Sequence, residues 1–465
     1  MLGTTSRGVV LAGKLQPTVR GEVIDPEHAS YEQACQVHNA MIQKRPALIA
    51  RCVDVGDVMT AVRFGRAEGL DIAIRGGGHN GGGLGTVDEG LVLDLSQMRG
   101  VRVNPEARTA QVAAGTTLAA VDHATHAFGL AAPFGIIGTT GASGLSLGGG
   151  VGHLTRKLGL SIDNLIEADV VLADGSFVTA NERKLSDLFW ALRGGGGNFG
   201  VVTSLTFRLH PVSNVQFGPM LWPIERTAEI LAWYRDFIGA QPEELNGFFA
   251  FLSVPPAAPF PEDLWLKKCC GVVWCSTAGA SETNRLLEPA RAFKPILDGV
   301  ADVPLPAAQG AFDALYPAGL QWYWRADFIK EIPDDAIAAH IEWGERMPTW
   351  MSTMHLYPID GAAGRVANDA TAWAYRDAKW AMVEAGISPD PGLAGTLRDW
   401  TVGYWEALHP YSMGGAYVNF MMDEGQERVR ATYRGNYDRL AQIKAKYDPT
   451  NLFHVNQNIR PAAGR

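Results

Sequence analysis

The sequence lacks the features that mark nucleic-acid binding and membrane insertion. Its 465 residues carry 40 Lys and Arg against 49 Asp and Glu, a formal net charge of −9, without a run of basic residues. Since a nucleic-acid-binding protein needs a basic surface to replace counterions around phosphates, that class is set aside. Met1 to Arg20 contains neither a signal peptide's apolar core nor the roughly 20 apolar residues of a membrane span. We therefore expect a soluble cytoplasmic protein that binds neither nucleic acid nor membrane.

Cysteine is also scarce. The chain has five cysteines, Cys35, Cys52, Cys269, Cys270 and Cys275. The odd number and wide scatter argue against a disulfide framework. Three of them fall in the apolar run CCGVVWC, which predicts a buried strand, and neither a companion His nor a second CxxC completes a metal site there. We expect no bound metal.

The chain is long enough for two packed domains, and its 47% apolar residues and 13 Trp are typical of a globular protein. The sequence predicts a β-α-β unit, made of a strand over 48–52, a helix starting near Val55 and a strand over 71–75. Hairpins are predicted over 101–113 and over 169–180, where Asp174-Gly175 marks the turn.

Sequence character changes twice along the chain. From about Pro211 glycine clusters disappear, while tryptophan and proline become common up to about His409. The pattern predicts an α+β fold of two domains. A cofactor domain is divided between residues 1–210 and 410–465, and a substrate domain of antiparallel sheet and helices is inserted over 211–409.

Two familiar phosphate-binding motifs are only partly present. Residues 8–14 (GVVLAGK) approach a P-loop, but Leu15 stands where a Ser or Thr should hold magnesium, and Pro17 opposes the helix that should follow. Residues 76–81 satisfy G-x-G-x-x-G, yet the next residues leave no room for the helix of a Rossmann fingerprint. The loop at residues 76–81 can still bind a pyrophosphate through its backbone N–H groups.

Four glycine-rich segments remain, each beside a predicted strand: 75–85, 138–152, 193–200 and 414–419. The phosphates of a dinucleotide need backbone donors that approach closely, which residues without side chains permit. One such loop is usually a turn. Four of them in one chain favour a site for a long, flat cofactor.

The order of these segments resembles the vanillyl-alcohol-oxidase/para-cresol-methylhydroxylase superfamily, and within it the berberine-bridge-enzyme-like FAD-linked oxidases. The matching motifs span the cofactor domain, and the chain is similar to bacterial members that act on hydroxynicotine, aclacinomycin-type polyketides and sugars. They are RGGGHN at 75–80, GGGVGHLTRKLGLSIDNL at 148–165, LFWALRGGGGNFGVVT at 188–203, AYVNF at 416–420 and YDPTNLFHVNQNI at 447–459.

The resemblance implies an FAD bonded covalently to His79. Many relatives add a second link through a cysteine, and Ile137 occupies that position here, so we expect the histidyl link alone. The resemblance also implies further cofactor contacts, from the loop that precedes His79, along the flavin, at the nucleotide side and from the C-terminal segment. These residues are Arg75, Gly76, Gly77, Gly78, Asn80, Gly138, Thr139, Gly141, Gly144, Gly200, Val202, Asn419, Asn456 and Gln457.

Two tyrosines are the predicted catalytic residues. Tyr417 in AYVNF resembles the family's tyrosine base near the flavin, and Tyr357 resembles a second active-site tyrosine of the polyketide oxidases. A phenol near pKa 10 is a poor base unless its environment lowers that value, and the sequence shows no cation that does so. The alternative for Tyr417 is a packed strand tyrosine.

The predicted substrate residues lie in the segment QWYWRADF. Alternation places Trp322 and Trp324 on one face of a strand and Tyr323 on the other. Such aromatics stack on sugars or planar rings, or fill a core, and Arg325 is a candidate for an anionic group.

The predicted reaction is oxidation of a C–H next to a hydroxyl or amine, with O2 reduced to H2O2. The substrate is a sugar, aromatic alcohol, polyketide or alkaloid, and the enzyme is a monomer or homodimer. The alternatives are a dehydrogenase with another electron acceptor and a non-catalytic flavin-binding module.

Overall fold

The computed structural model describes residues 4–463. The strands, in chain order, are β1 Glu22–Ile24, β2 Leu48–Arg51, β3 Ile72–Arg75, β4 Leu91–Asp94, β5 Val101–Asn104, β6 Thr109–Ala113, β7 Leu130–Ala131, β8 Leu165–Val171, β9 Phe177–Asn181, β10 Val201–Arg208, β11 His210–Pro211, β12 Asn214–Pro223, β13 Leu245–Ser253, β14 Lys268–Ser276, β15 Leu297–Asp298, β16 Ala301–Pro304, β17 Gln321–Ile329, β18 Thr353–Pro358 and β19 Trp380–Ser388. The helices are α1 Thr4–Leu15, α2 Tyr31–Cys35, α3 Val55–Ala67, α4 Leu118–His126, α5 Ala142–Leu147, α6 Thr155–Leu158, α7 Ser186–Leu192, α8 Thr227–Phe237, α9 Ala280–Ala292, α10 Leu305–Gly310, α11 Asp334–Glu345, α12 Ala394–Leu408, α13 Gly425–Tyr433 and α14 Tyr437–Tyr447.

The first sheet has the order β1-β2-β4-β3, with β2, β4 and β3 parallel and β1 antiparallel. The predicted β-α-β unit is present as β2, α3 and β3, with β4 inserted between the two strands. The Asp54 side chain accepts a hydrogen bond from the amide of Asp57 and so caps α3. The near P-loop at residues 8–14 lies inside α1.

The second sheet is antiparallel throughout, in the order β5-β6-β10-β8-β9. Both predicted hairpins are found in it, β5-β6 and β8-β9. Gly175, at the second turn, has φ +76°, a conformation that residues with a Cβ rarely adopt. This sheet and the first carry the loops at residues 75–85 and 193–200.

The third sheet is formed by the middle of the chain, in the order β15-β12-β14-β13-β18-β19-β17, with β16 also pairing with β12. Successive side chains of its strands face opposite sides. On β13, Phe249 and Phe251 pack in the same cluster as residues of α8, α11 and α12, whereas Phe248 and Ala250 face the cofactor domain. The sheet therefore presents one covered face and one face toward the cofactor domain.

The C-terminal segment returns to the first half of the chain. Tyr417, Tyr433 and Leu440 share one hydrophobic core with Leu188 and Phe199. Beside that core, the buried Lys444 ammonium donates to Asp448 and to the carbonyl groups of Asn198 and Phe453. The predicted α+β fold is confirmed, and we propose the divisions at 210/211 and 409/410 as the domain limits.

None of the helices within residues 4–463 combines the length and the apolar composition that crossing a bilayer requires.

Candidate active site

A cavity of about 340 Å³ lies between the glycine-rich loops and the third sheet. Most of the residues singled out from the sequence line it. These are Arg75, Gly76, Gly77, Gly78, His79, Asn80, Gly141, Gly144, Gly200, Val202, Trp322, Trp324, Tyr357, Tyr417, Asn419, Asn456 and Gln457. Gly138, Thr139 and Arg325 are not among the lining residues.

The loops at 75–80 and 138–144 touch each other through backbone atoms. A Cβ on Gly77 would lie 2.3 Å from the Gly141 nitrogen, and a Cβ on Gly141 would lie 2.4 Å from the Gly77 nitrogen. The glycines at 77 and 141 are thus required for loop packing. Gly138 is held differently, since its amide donates to the Asp313 carboxylate at 2.7 Å.

The cavity wall fits a phosphate-bearing dinucleotide. A Cβ on Gly144 or Gly197 would meet no described atom within 4 Å, so both leave open space along the wall. Ser143 Oγ, Tyr433 Oη and Asn456 Oδ1 are buried polar atoms without a hydrogen-bond partner among residues 4–463. In the same range, the amides of residues 77–79 donate to no other residue. Such polar groups suit the phosphates and ring edges of a cofactor.

His79 lies between two hydroxyl groups and a second imidazole. Its Nε2 is 3.1 Å from Thr139 Oγ1, its Nδ1 is 3.4 Å from Thr140 Oγ1, and its ring stacks on His38 with centroids 4.0 Å apart. Burial of the imidazole and, to a lesser extent, the neighbouring His38 lower the pKa of His79 to about 3. The imidazole is therefore neutral at pH 7, the form that can attack an electrophilic carbon.

Cysteines are absent from the described lining of the cavity, and Ile137 belongs to that lining. All five cysteines are buried and free. Within residues 4–463, no three His, Cys, Asp or Glu side chains form a group able to hold a metal ion.

The Tyr417 hydroxyl accepts two hydrogen bonds. The Gly150 amide donates to it at 3.0 Å and Asn419 Nδ2 at 2.7 Å. The second Asn419 amide hydrogen goes to the Leu145 carbonyl at 2.9 Å, which fixes the amide's orientation. Burial raises the pKa of Tyr417 to about 12, against the lowering effect of these two donors.

Tyr357 belongs to a different hydrogen-bonded chain. Its hydroxyl lies 2.5 Å from His355 Nδ1, and His355 Nε2 lies 2.9 Å from Thr353 Oγ1. Thr353 Oγ1 in turn donates to the Phe251 carbonyl at 2.6 Å. The three residues alternate along β18, so their side chains share the cavity face of the sheet. Burial lowers the pKa of His355 to about 3 and raises that of Tyr357 well above 10.

Aromatic side chains form the remaining wall. Trp322 and Trp324 both line the cavity, as alternation along the strand predicts, with ring centroids 5.7 Å apart. Tyr316 packs on Trp322 at 5.3 Å. A Cβ on Gly81 would lie 2.2 Å from the Trp324 ring, so this glycine makes room for the indole.

Arg325 is engaged away from the cavity lining. Its guanidinium lies 2.9 Å from Glu424 and donates to the Tyr323 hydroxyl at 3.2 Å. Arg428 pairs with the same carboxylate and with the buried Asp327. Arg325 therefore joins the substrate sheet to the C-terminal segment.

Several lining residues received no role from the sequence, although Ser143 and Phe420 lie inside motifs that it singled out. The lining residues outside those motifs are His38, Tyr316, Thr353, His355 and Tyr433. Only the run TMHLYP at 353–358 carried a usable signal, because alternation in a strand places its three polar residues on one face.

Two family models match the chain. One, described as FAD binding domain, matches residues 46–181, and the other, described as Berberine and berberine like, matches residues 416–460. The matched segments contain the loops at 75–85 and 138–152 and the C-terminal residues of the cavity wall, while the loop at 193–200 lies between them.

Relatives in sequence and in structure align over nearly the whole of this chain and of their own. An FAD-linked oxidoreductase of Dictyostelium discoideum is 32% identical over 91% of this chain and 90% of its own. The structure of 6-hydroxy-D-nicotine oxidase from Arthrobacter nicotinovorans has a TM-score of 0.85 and 26% identity, covering 96% of this chain and 98% of that chain. Glucooligosaccharide oxidase from Acremonium strictum, with 6-S-cysteinyl, 8α-N1-histidyl FAD, shares the fold with a TM-score of 0.85 and 24% identity, over 99% and 100% of the two chains.

Proposed function

The chain belongs to the berberine-bridge-enzyme-like family of FAD-linked oxidoreductases, and from this premise we propose that it oxidises a C–H next to a hydroxyl or amine of a small, neutral aromatic compound, with O2 as the electron acceptor. FAD, when bound, supplies the hydride acceptor. The loop amides at 77–79, together with Ser143, Asn456 and Tyr433, are the groups that would hold it.

We propose His79 as the covalent attachment point and the histidyl link as the single tether. A neutral imidazole that faces the cavity supports the first part. The second part is supported by Ile137 and by the burial of all five cysteines in the protein core.

The composition of the sheet wall carries the proposal about substrate class. Trp322, Trp324, Tyr316 and Phe420 offer ring faces and edges, and Val383 adds an apolar surface. Arg75 is the one charged side chain in the described lining, and its guanidinium is paired with Asp94 at 3.0 Å. A planar neutral ring is stabilised by stacking in such a wall, whereas an oligosaccharide would bury many hydroxyls without partners.

Two buried phenols face this space, Tyr417 from the C-terminal segment and Tyr357 from β18. The proton of the substrate heteroatom has to leave when the carbon loses its hydride. We propose that these two hydroxyl groups contact the heteroatom and handle that proton.

The test is anaerobic mixing of the purified holoenzyme with neutral aromatic alcohols, cyclic aromatic amines and xylo-oligosaccharides. We expect the aromatic compounds to bleach the flavin and air to restore it with formation of peroxide. Trp324→Ala should weaken binding of these compounds, while Trp350→Ala, at an exposed site outside the lining, is the matched control. Fast reoxidation by a quinone with slow reoxidation by air contradicts O2 as the acceptor, and faster reduction by the oligosaccharides contradicts the substrate class.

A further inference from the structure

The hydrogen bonds of β18 order three polar side chains into one directed chain, and we infer that the substrate proton leaves through Tyr357 to His355, with Thr353 as the residue that sets the histidine's tautomer. The inference rests on the proposed oxidation. Tyr357 is then the catalytic residue, and His355 and Thr353 act through it.

The direction of the chain follows from donor and acceptor capacity. A carbonyl group only accepts, so the single Thr353 hydroxyl proton is committed to Phe251 O at 2.6 Å. His355 Nε2, 2.9 Å from Thr353 Oγ1, must then carry the hydrogen, and the Nδ1 of the neutral ring accepts. Tyr357 therefore donates its hydroxyl proton to His355 Nδ1 at 2.5 Å. The two lone pairs of the Tyr357 oxygen are left to accept a proton from the cavity.

Tyr417 has the opposite arrangement. Both lone pairs of its neutral hydroxyl are occupied, by the Gly150 amide and by Asn419 Nδ2. Its own proton remains available, so the Tyr417 hydroxyl can donate to the substrate heteroatom and orient it. To act as a base it must first ionise.

The two candidate bases also differ in how much of the base form exists at pH 7. Burial keeps the pKa of His355 at about 3, so nearly all of its imidazole is in the accepting form. Burial places the pKa of Tyr417 at about 12, so roughly one molecule in 10⁵ carries the phenolate at pH 7. The population of the base form favours the route through Tyr357, while the Tyr417 phenolate is the stronger base in the few molecules that carry it.

The groups around the hydrogen-bonded Thr353, His355 and Tyr357 include phenols, and no Asp, Glu, Lys or Arg among the described residues shifts the pKa of His355 or Tyr357. Besides its hydrogen-bond partner His355, the titratable groups that act on Tyr357 are the hydroxyl groups of Tyr316 and Tyr417, from two other segments. The pKa of His355 is shifted by burial alone.

The step balances as follows for an alcohol. The C–H bond breaks and its electron pair leaves with the hydride, for which FAD, when bound, would supply the acceptor, while the O–H bond breaks and its proton goes to the Tyr357 oxygen. The Tyr357 proton moves at the same time to His355 Nδ1, and the carbon–oxygen double bond forms. The positive charge gained by His355 offsets the negative charge carried by the hydride, so the buried site gains no net charge.

The direct test is the tautomer of His355, read by ¹⁵N NMR of histidine-labelled holoenzyme, with His355→Asn used to assign the signal. We expect a neutral Nε2–H ring from about pH 5 to pH 9. Thr353→Val should admit the Nδ1–H form, and Thr353→Ser should restore the wild-type tautomer. Unchanged melting temperature and flavin content identify variants that have folded. An Nδ1–H or charged ring in the wild type overturns the inference, and this readout needs no substrate.

The kinetic test uses the aromatic compound that reduces the flavin fastest. The rate of flavin reduction should be flat over the same pH range and should fall about 10²–10⁴-fold in His355→Asn, which keeps an acceptor for Tyr357 but no basic nitrogen. Thr353→Val should lose roughly 2- to 12-fold, corresponding to one hydrogen bond, with recovery in Thr353→Ser. A rate that rises tenfold per pH unit and loses this rise in Tyr417→Phe returns the base to Tyr417 and overturns the inference. If no compound of any class reduces the flavin, the proposed oxidation fails, and the tautomer alone decides whether the directed chain exists.

Discussion

The two walls of the cavity are built in different ways. On the loop side, backbone amides and side-chain-free positions form the surface, and the loops are held by contacts such as Gly77 against Gly141. On the sheet side, alternate residues present two tryptophans from β17, one hydrogen-bonded series of side chains from β18, and apolar Val383 and Ala385 from β19. The loop wall thus approaches a ligand mainly through its backbone, whereas the sheet wall approaches it through side chains.

The largest expected effect lies at the loop wall. His79→Ala should abolish covalent flavin, because we propose a single attachment point, and acid-precipitated protein should lose its fluorescence on a denaturing gel. His454→Ala, which removes an imidazole paired with Asp71 outside the cavity lining, is the control. A flavin-bearing peptide that contains a cysteine linkage contradicts the single tether.

The next largest effect separates the two phenols. Tyr357→Phe should reduce the rate of flavin reduction about 10²–10⁴-fold, because the route to His355 is cut. Tyr417→Phe should cost roughly 2- to 12-fold, the value of one hydrogen bond to the heteroatom. Stopped-flow absorbance measures both rates. The reverse order of effects, with the larger loss in Tyr417→Phe, supports the assignment of the base made from the sequence.

Alanine substitutions at two glycines of the loop wall should change the unfolding free energy in opposite directions. Gly141→Ala forces a Cβ against the Gly77 backbone, and overpacking of this kind typically costs about 1–3 kcal/mol of unfolding free energy. Gly144→Ala lies within α5 with no described atom within 4 Å, so the helix should gain about 0.5–1 kcal/mol while FAD binding weakens. Thermal unfolding of apoprotein and FAD titration measure the two effects. Equal melting temperatures for both variants contradict the packing role of Gly141.

The last effect is a pH dependence of stability and concerns the helix behind the loop wall. Asp122 in α4 is buried, its Oδ2 has no partner among the described residues, and burial raises its pKa to about 8. The folded state therefore keeps this carboxyl protonated while the unfolded chain ionises it near pH 4, so stability falls as pH rises from about 4 to about 8. Asp122→Asn should flatten that part of the melting-temperature profile, and the exposed Asp263→Asn should not. An unchanged slope in Asp122→Asn contradicts the assignment.

The loop wall was accessible to sequence reading because its signal is local. Glycine clusters, a His after three glycines and a C-terminal Asn-Gln pair stand together in the chain, and their cavity positions follow from short segments. Gly138 shows the limit of this reading. Its amide is bound by Asp313, 175 positions away, and such a partner is set by the packing of the two domains.

The sheet wall could be predicted only in part. Alternation placed Trp322 and Trp324 together, but it could not show which face of β17 meets the cofactor domain, nor that Arg325 pairs with Glu424. The acceptor of Thr353, the Phe251 carbonyl, depends on the register of β18 against β13. Register is fixed by long-range burial, which one sequence does not reveal.

The bond from the Gly150 amide to the Tyr417 hydroxyl joins residues 267 positions apart. At about 5–20 residues per second, a ribosome delivers the two partners roughly 13–50 seconds apart. Over that interval the loop segment has left the ribosome while Tyr417, Asn419, Asn456 and Gln457 have yet to be synthesised. Closure of the cavity, and with it retention of a flavin, is therefore an event of the finished polypeptide rather than of the nascent chain.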